Sequence, residues 1–159
     1  MSTPASRLRA ALVALSVVWA AAVVAAPLAR AGHGHWGVEA FATVPYLVGT
    51  RICHQRPERS FHTQGVAWPV CGRCAGLYLS GATALLAAAV MRSRRDRRFS
   101  ALLAVAAVPT MATWGLEAAG LWDPGTGLRA LAAVPLGLAI GWTLHAALEE
   151  PPGERGQRP

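Results

Sequence analysis

Residues 74–98 read CAGLYLSGATALLAAAVMRSRRDRR. The first eighteen positions carry no charge, and the last seven hold Arg92, Arg94, Arg95, Arg97 and Arg98. A helix built from the uncharged part has no charged face to turn towards water, so its natural solvent is lipid. At 1.5 Å per residue, about twenty residues reach the roughly 30 Å of a hydrocarbon core. The arginines behind it are of the kind that flank a span on the cytoplasmic side, facing anionic headgroups.

Working outward, the same reading applies to three further apolar blocks, 10–29, 99–121 and 128–148. Arg7 and Arg9 precede the first block, and Arg30 follows it. Pro109 is an expected kink in the third, tolerable where neighbouring helices satisfy the freed backbone groups. The fold class that follows is all-α: a polytopic membrane protein with about four transmembrane helices. A single membrane-embedded domain covers 1–148, with a Cys/His-bearing loop at 30–73 between the first and second spans. The tail 149–159 is polar, contains prolines and is expected to be disordered.

Composition agrees. Hydrophobic residues make up 53% of the 159 positions and charged ones only 14%, well under the roughly 25% of soluble proteins. The net charge of +7 comes from arginine alone, since the chain has no lysine. Arginines that cluster beside apolar blocks point to lipid rather than to nucleic acid. The preference for Ala, Gly and Arg suggests a bacterial genome rich in G and C, and so a bacterial inner membrane.

Four spans place Arg7, Arg9, the run 92–98, Arg155 and Arg158 on one side, the cytoplasm. Both termini then face the cytoplasm and the Cys/His loop faces outward, taking Arg30, Arg51, Arg56, Arg59 and Arg73 with it. The stretch 36–50 is too short to span and contains Glu39, so it reads as an interfacial or re-entrant segment. A rival reading makes the first block a cleaved signal peptide, with Ala29-Arg30-Ala31 before the cleavage site. The block is longer than the usual h-region, which favours an uncleaved helix.

The chemistry-bearing residues lie in the loop, C53-H-Q-R-P-E-R-S-F-H62 and then P69-V-C-G-R-C-A-G-L-Y78. Cys53, Cys71 and Cys74 are the only three cysteines. The C-x-x-C spacing of Cys71 and Cys74 lets two sulfurs converge on a metal or on each other. Cys53 with His54, or with His62 as the alternative ligand, would complete a Cys₃His site for zinc or iron. Cys53 and His54 point to opposite sides in extended chain, a difficulty that His62 avoids.

The second chemistry open to these residues is thiol–disulfide exchange. A helix N-terminus would favour the Cys71 thiolate, with Cys74 as its partner and Cys53 as the resolving thiol. The third is a structural or assembly role without catalysis, the cysteines being simply buried. Arg59 and Arg73 are candidates for an anion or lipid headgroup, although Arg59 with Glu58 also reads as a solvated pair. His33 and His35 offer too few ligands for a second metal site.

These residues carry a resemblance. The loop is similar to a bacterial family of uncharacterised membrane proteins, domain of unknown function 2085, with the signature C-H-Q-x-P-x-R-S-F and then P-x-C-x-R-C-x-G-x-Y. Cys53, His54, Gln55, Pro57, Glu58, Arg59, Ser60 and Phe61 match the first part. Pro69, Cys71, Arg73, Cys74, Gly76 and Tyr78 match the second, while Ala75 stands where the family often has threonine. The resemblance implies a multi-pass membrane protein and no particular activity. It favours His54 over His62 as the shared histidine.

In the later helices, Glu117 and Arg129 are costly in lipid, at least about 2.5 kcal/mol each on insertion scales. The short connection 122–127 could bring them together beneath the loop, or both could be interfacial residues beside Trp114 and Trp122. His145 reads as interfacial. Gly76 with Ser80, and Gly137 with Gly141, have the spacing of close helix contacts in a four-helix membrane bundle. They leave open a homo-oligomer or a membrane protein partner. No phosphate-binding loop, dinucleotide fingerprint or H-E-x-x-H motif is present.

Overall fold

The computed structural model describes residues 4–32, 36–91 and 99–148. The histidines at 33 and 35, the arginine run 92–98 and the tail 149–159 lie outside them. Helix α1 covers Pro4–Ala31 and α2 covers Trp36–Ile52. A 3₁₀ turn at Pro57–Arg59 leads into β1 (Ser60–Thr63) and β2 (Val66–Cys71), followed by α3 (Gly72–Met91), α4 (Phe99–Ala118) and α5 (Gly125–Ala147). Of the described helices, α1, α3, α4 and α5 are long and apolar enough to cross a membrane. Each contains the greater part of one of the four apolar blocks. The helices continue through Pro27, Pro109 and Pro135.

The four long helices pack most closely as α3 against α5, with α4 against α5 and α1 against α3. The α3–α5 pair is held by small residues. Gly72 faces Thr126, Gly76 faces the backbone of Ala130, Gly137 faces Ser80 and Leu77, and Gly141 faces Gly81. Both small-residue motifs are therefore used within the chain. The buried apolar residues of the pair are nearly all alanines, among them Ala75, Ala82, Ala84, Ala88, Ala132, Ala133 and Ala139. Small residues let the two backbones approach closely. The outer helices add smaller contacts, such as the buried bond from Thr110 Oγ1 to the Ala132 carbonyl at 2.8 Å. His145 lies in the last turn of α5 as expected for an interfacial residue, yet its side chain is turned inward and only 2% exposed.

The segment between the first two spans is more ordered than a loop. After α2, the chain forms a hairpin whose turn residues, Gln64 and Gly65, have φ of 51° and 80°. Two consecutive positive φ values in a two-residue turn match the right-handed twist of the strands. Thr63 pairs with Val66 and His62 with Ala67, then the register shifts before Ser60 pairs with Cys71. Pro69, which has no N–H for the ladder, lies inside that shift.

The hairpin packs at the middle of α1 rather than beyond its end. Val23 forms a buried cluster with Val70 and Ala75, and the rings of Trp19 and Tyr78 meet edge-on at 6.0 Å. The part of α1 after Val23 runs on for about 12 Å. There it meets α2, with the Arg30 guanidinium 3.7 Å above the Tyr46 ring. On α2, Phe41, Val44, Leu47, Val48 and Ile52 remain exposed.

The α3–α5 seam makes a stability prediction. Gly76→Ala would drive a methyl group into the Ala130 backbone and should destabilise the protein by about 1–3 kcal/mol. Gly115→Ala on α4, where nothing lies within 4 Å of the added carbon, should stay within about 1 kcal/mol of wild type. Unfolding titrations in mixed detergent micelles would measure both.

Candidate metal centre

Three elements each deliver one sulfur. Cys53 follows the last turn of α2, its N–H still bonded to the Gly49 carbonyl at 2.8 Å. Cys71 ends β2, and Cys74 stands in the first turn of α3. The three sulfurs lie within 4.8 Å of one another. All three residues are half-buried and free of disulfide bonds. Trp19, Phe61, Trp68 and Tyr78 pack around the same apolar cluster as Cys53 and Cys74.

The cluster changes the acidity of one thiol above all. Hydrogen bonds from the Cys71 and Cys74 thiols hold Cys53 well below the ordinary thiol range, against the opposing effect of burial. The backbone N–H groups of Cys71 and Gln55 add to this, the first at 3.2 Å from the Cys53 sulfur. Negative charge placed on Cys53 is thus shared with four donors. The hairpin folds these donors onto Cys53.

Neither histidine joins the sulfurs. The described group of neighbouring metal-ligating atoms contains the three cysteines alone. His54 and His62 are both exposed. His62 stands on β1, opposite Ala67.

Arg59 and Arg73 face inward, onto Glu117. Arg59 Nη1 lies 2.7 Å from Glu117 Oε1, and Arg73 Nη2 lies 3.2 Å from Oε2. Arg129 donates from Nε to Oε2 at 3.2 Å and from Nη2 to Oε1 at 3.0 Å. Three hydrogen bonds and one ion pair thus surround a carboxylate, which offers about four lone-pair sites. Arg129 is only 2% exposed and also bonds Asp123 at 2.8 Å. Arg59 therefore does not pair with Glu58 as the sequence suggested, since the 3₁₀ turn aims it at α4. Glu117 and Arg129 are partners rather than separate interfacial residues. An external anion at Arg59 or Arg73 would have to compete with Glu117.

Two further contributors were given no role from the sequence, although Gln55 matches the signature quoted above. Gln55 lies between α2 and β2, and Tyr46 donates its hydroxyl to the Ala67 carbonyl at 2.7 Å. Burial pushes the Tyr46 phenol up, and Arg30 partly offsets this.

The charge network predicts its own cost of removal. Glu117→Gln would leave three guanidiniums without their shared counter-charge and should destabilise the protein by about 3–5 kcal/mol. Asp123→Asn, at a side chain 75% exposed, should cost less than about 1 kcal/mol. Denaturation of the two variants side by side gives the contrast.

Comparison with known proteins agrees with this layout. The family model described as "Predicted membrane protein (DUF2085)" matches residues 53–143. The match begins on Cys53 and includes the other two cysteines, Glu117 and Arg129. An uncharacterised protein of Methanothermobacter thermautotrophicus is 30% identical over 89 residues, covering 56% of this chain and 80% of its own length. That organism is an archaeon, so the likeness is not confined to bacteria. No solved structure matches. With more than half of its length matched by the family model, including the complete three-cysteine cluster, the chain belongs to the DUF2085 family of predicted membrane proteins.

Proposed function

We propose that the protein binds one transition-metal ion, zinc or iron, through the thiolates of Cys53, Cys71 and Cys74 at the membrane surface. The convergence of the three sulfurs within 4.8 Å carries this reading. Tetrahedral zinc with metal–sulfur bonds of 2.3 Å requires sulfurs about 3.8 Å apart. The cluster would need to contract by no more than about 1 Å to meet that. Thiolate donors suit zinc and iron, and they disfavour magnesium and calcium.

Three ligands leave a fourth tetrahedral position, which His54 or His62 could close only by turning in from solvent. Left open, that position would let the metal polarise a bound water or substrate. The arginine distribution supports cytoplasmic termini and an extracytoplasmic centre.

Elemental mass spectrometry of detergent-purified chain, prepared anaerobically without a metal-affinity column, tests the proposal. About one zinc or iron per chain is expected, with loss in each of Cys53→Ser, Cys71→Ser and Cys74→Ser. Because the ligands must be deprotonated, acidification should release the metal. Wild-type chain without metal, or cysteine variants with full metal content, would sink the idea. His54→Ala and His62→Ala show whether either histidine holds the fourth position.

One observation favours a second reading, thiol–disulfide exchange. The lowered Cys53 thiol is thiolate at neutral pH, the form that attacks an external disulfide. The attack releases the partner's thiolate, and Cys71 or Cys74 then displaces the second partner thiolate to leave an internal disulfide. A depressed pKa keeps Cys53 reactive as pH falls. Alkylation of metal-free protein near about pH 6 should therefore label Cys53 ahead of an ordinary thiol. Equal, slow labelling of all three cysteines would count against this reading.

A further inference from the structure

We infer that Gln55 is the positioning residue that makes Cys53 the third ligand, and so sets the number of thiolates at the centre to three rather than two. The inference rests on the metal-binding reading above. Cys71 and Cys74 need no such help. They are three residues apart across the junction of β2 and α3, and local geometry keeps them together. Cys53 comes from a different element, eighteen residues earlier than Cys71, and something must hold the end of α2 against the hairpin.

The side chain of Gln55 does this with both of its amide hydrogens. Its Nε2 donates to the Tyr46 carbonyl on α2 at 2.8 Å and to the Pro69 carbonyl on β2 at 2.7 Å. The acceptors are two carbonyl oxygens, so the group between them must be the NH₂ end of the amide. Pro69 is two residues before Cys71, and Gln55 is two residues after Cys53. The clamp therefore spans the gap that the third sulfur has to cross.

The backbone is arranged to serve it. Gln55 has φ of 46°, in the left-handed region that residues other than glycine seldom adopt. A non-glycine residue stays there only where its surroundings hold it. That conformation also turns its own N–H towards the Cys53 sulfur. Gly49 completes the fit, because a Cβ at this position would collide with the Gln55 amide nitrogen and the Pro69 carbonyl oxygen.

Gln55→Glu is the informative substitution. It keeps length and shape but replaces the donor NH₂ with a carboxylate oxygen that faces two carbonyl oxygens. Gly49→Ala displaces the same amide without touching Gln55 itself. The full chain in detergent would be loaded with cobalt(II), whose thiolate charge-transfer absorption reports the number of bound sulfurs. Wild type should show a three-thiolate band, and both variants should lose about one third of it and bind cobalt about 10–100-fold more weakly. Gln55→Asn, shorter by one methylene, should reach only one of the carbonyls and fall in between.

A second measurement does not depend on metal. In the metal-free chain, mild oxidation followed by peptide mass spectrometry gives the yield of disulfides joining Cys53 to Cys71 or Cys74. That yield should be high in wild type and fall in both variants, while the Cys71–Cys74 disulfide persists. Wild type that takes no cobalt yet shows this fall would refute the metal reading and leave the positioning role standing. Variants with the full three-thiolate band, or with undiminished Cys53 capture, would overturn the role of Gln55.

Discussion

A carboxylate at the boundary of a bilayer has to be neutralised, and the way Glu117 is neutralised ties the molecule together. Its two oxygens take bonds from Arg59 on the 3₁₀ turn, Arg73 on α3 and Arg129 on α5, while Glu117 itself belongs to α4. Four elements far apart in sequence thus meet on one acidic group that is only 9% exposed. An isolated charge there would be expelled to water or unfold its helix. Arg73 lies between Cys71 and Cys74, so the same contact that settles the charge also anchors the start of α3, where two of the three sulfurs stand.

The cysteine centre depends on this anchoring from one side and on α1 and α2 from the other. The region shared with the family begins at Cys53 and leaves α1 and α2 outside it. Yet α1 contributes Trp19 and Val23 to the apolar wall around the sulfurs, and α2 contributes the Tyr46 carbonyl that Gln55 grips. The shared region holds the donors; the helices before it close their surroundings. Hydrogen bonds from two neighbouring thiols and two backbone N–H groups favour the thiolate form of Cys53. That property serves a metal site and a nucleophilic thiol alike, which is why both readings rest on the same atoms.

The seam between α3 and α5 gives the rest of the molecule its shape. Its glycines bring backbones together, and each outer helix then finds a place on one side only. The hairpin touches α1, α3 and α5.

Much of this was legible in the chain. Apolar runs about as long as a bilayer is thick announce membrane helices wherever they occur, because the requirement is local: each backbone N–H finds its carbonyl within its own helix. The C-x-x-C pair was legible for the same reason, since its two sulfurs are neighbours by spacing alone. The small residues at 76, 80, 137 and 141 marked helix contact surfaces, although not which surface each would meet. What only the tertiary structure decided were the pairings between distant segments. Cys53 joined the pair while His54 and His62 stayed exposed, and Arg59 and Arg73 turned to Glu117. Each of these outcomes depends on a turn or a packing distance between elements, such as the left-handed backbone at Gln55 or the glycine contact at Gly76. Residue type and spacing along the chain do not carry that information, because the competing partners have the same chemistry and differ only in where folding puts them.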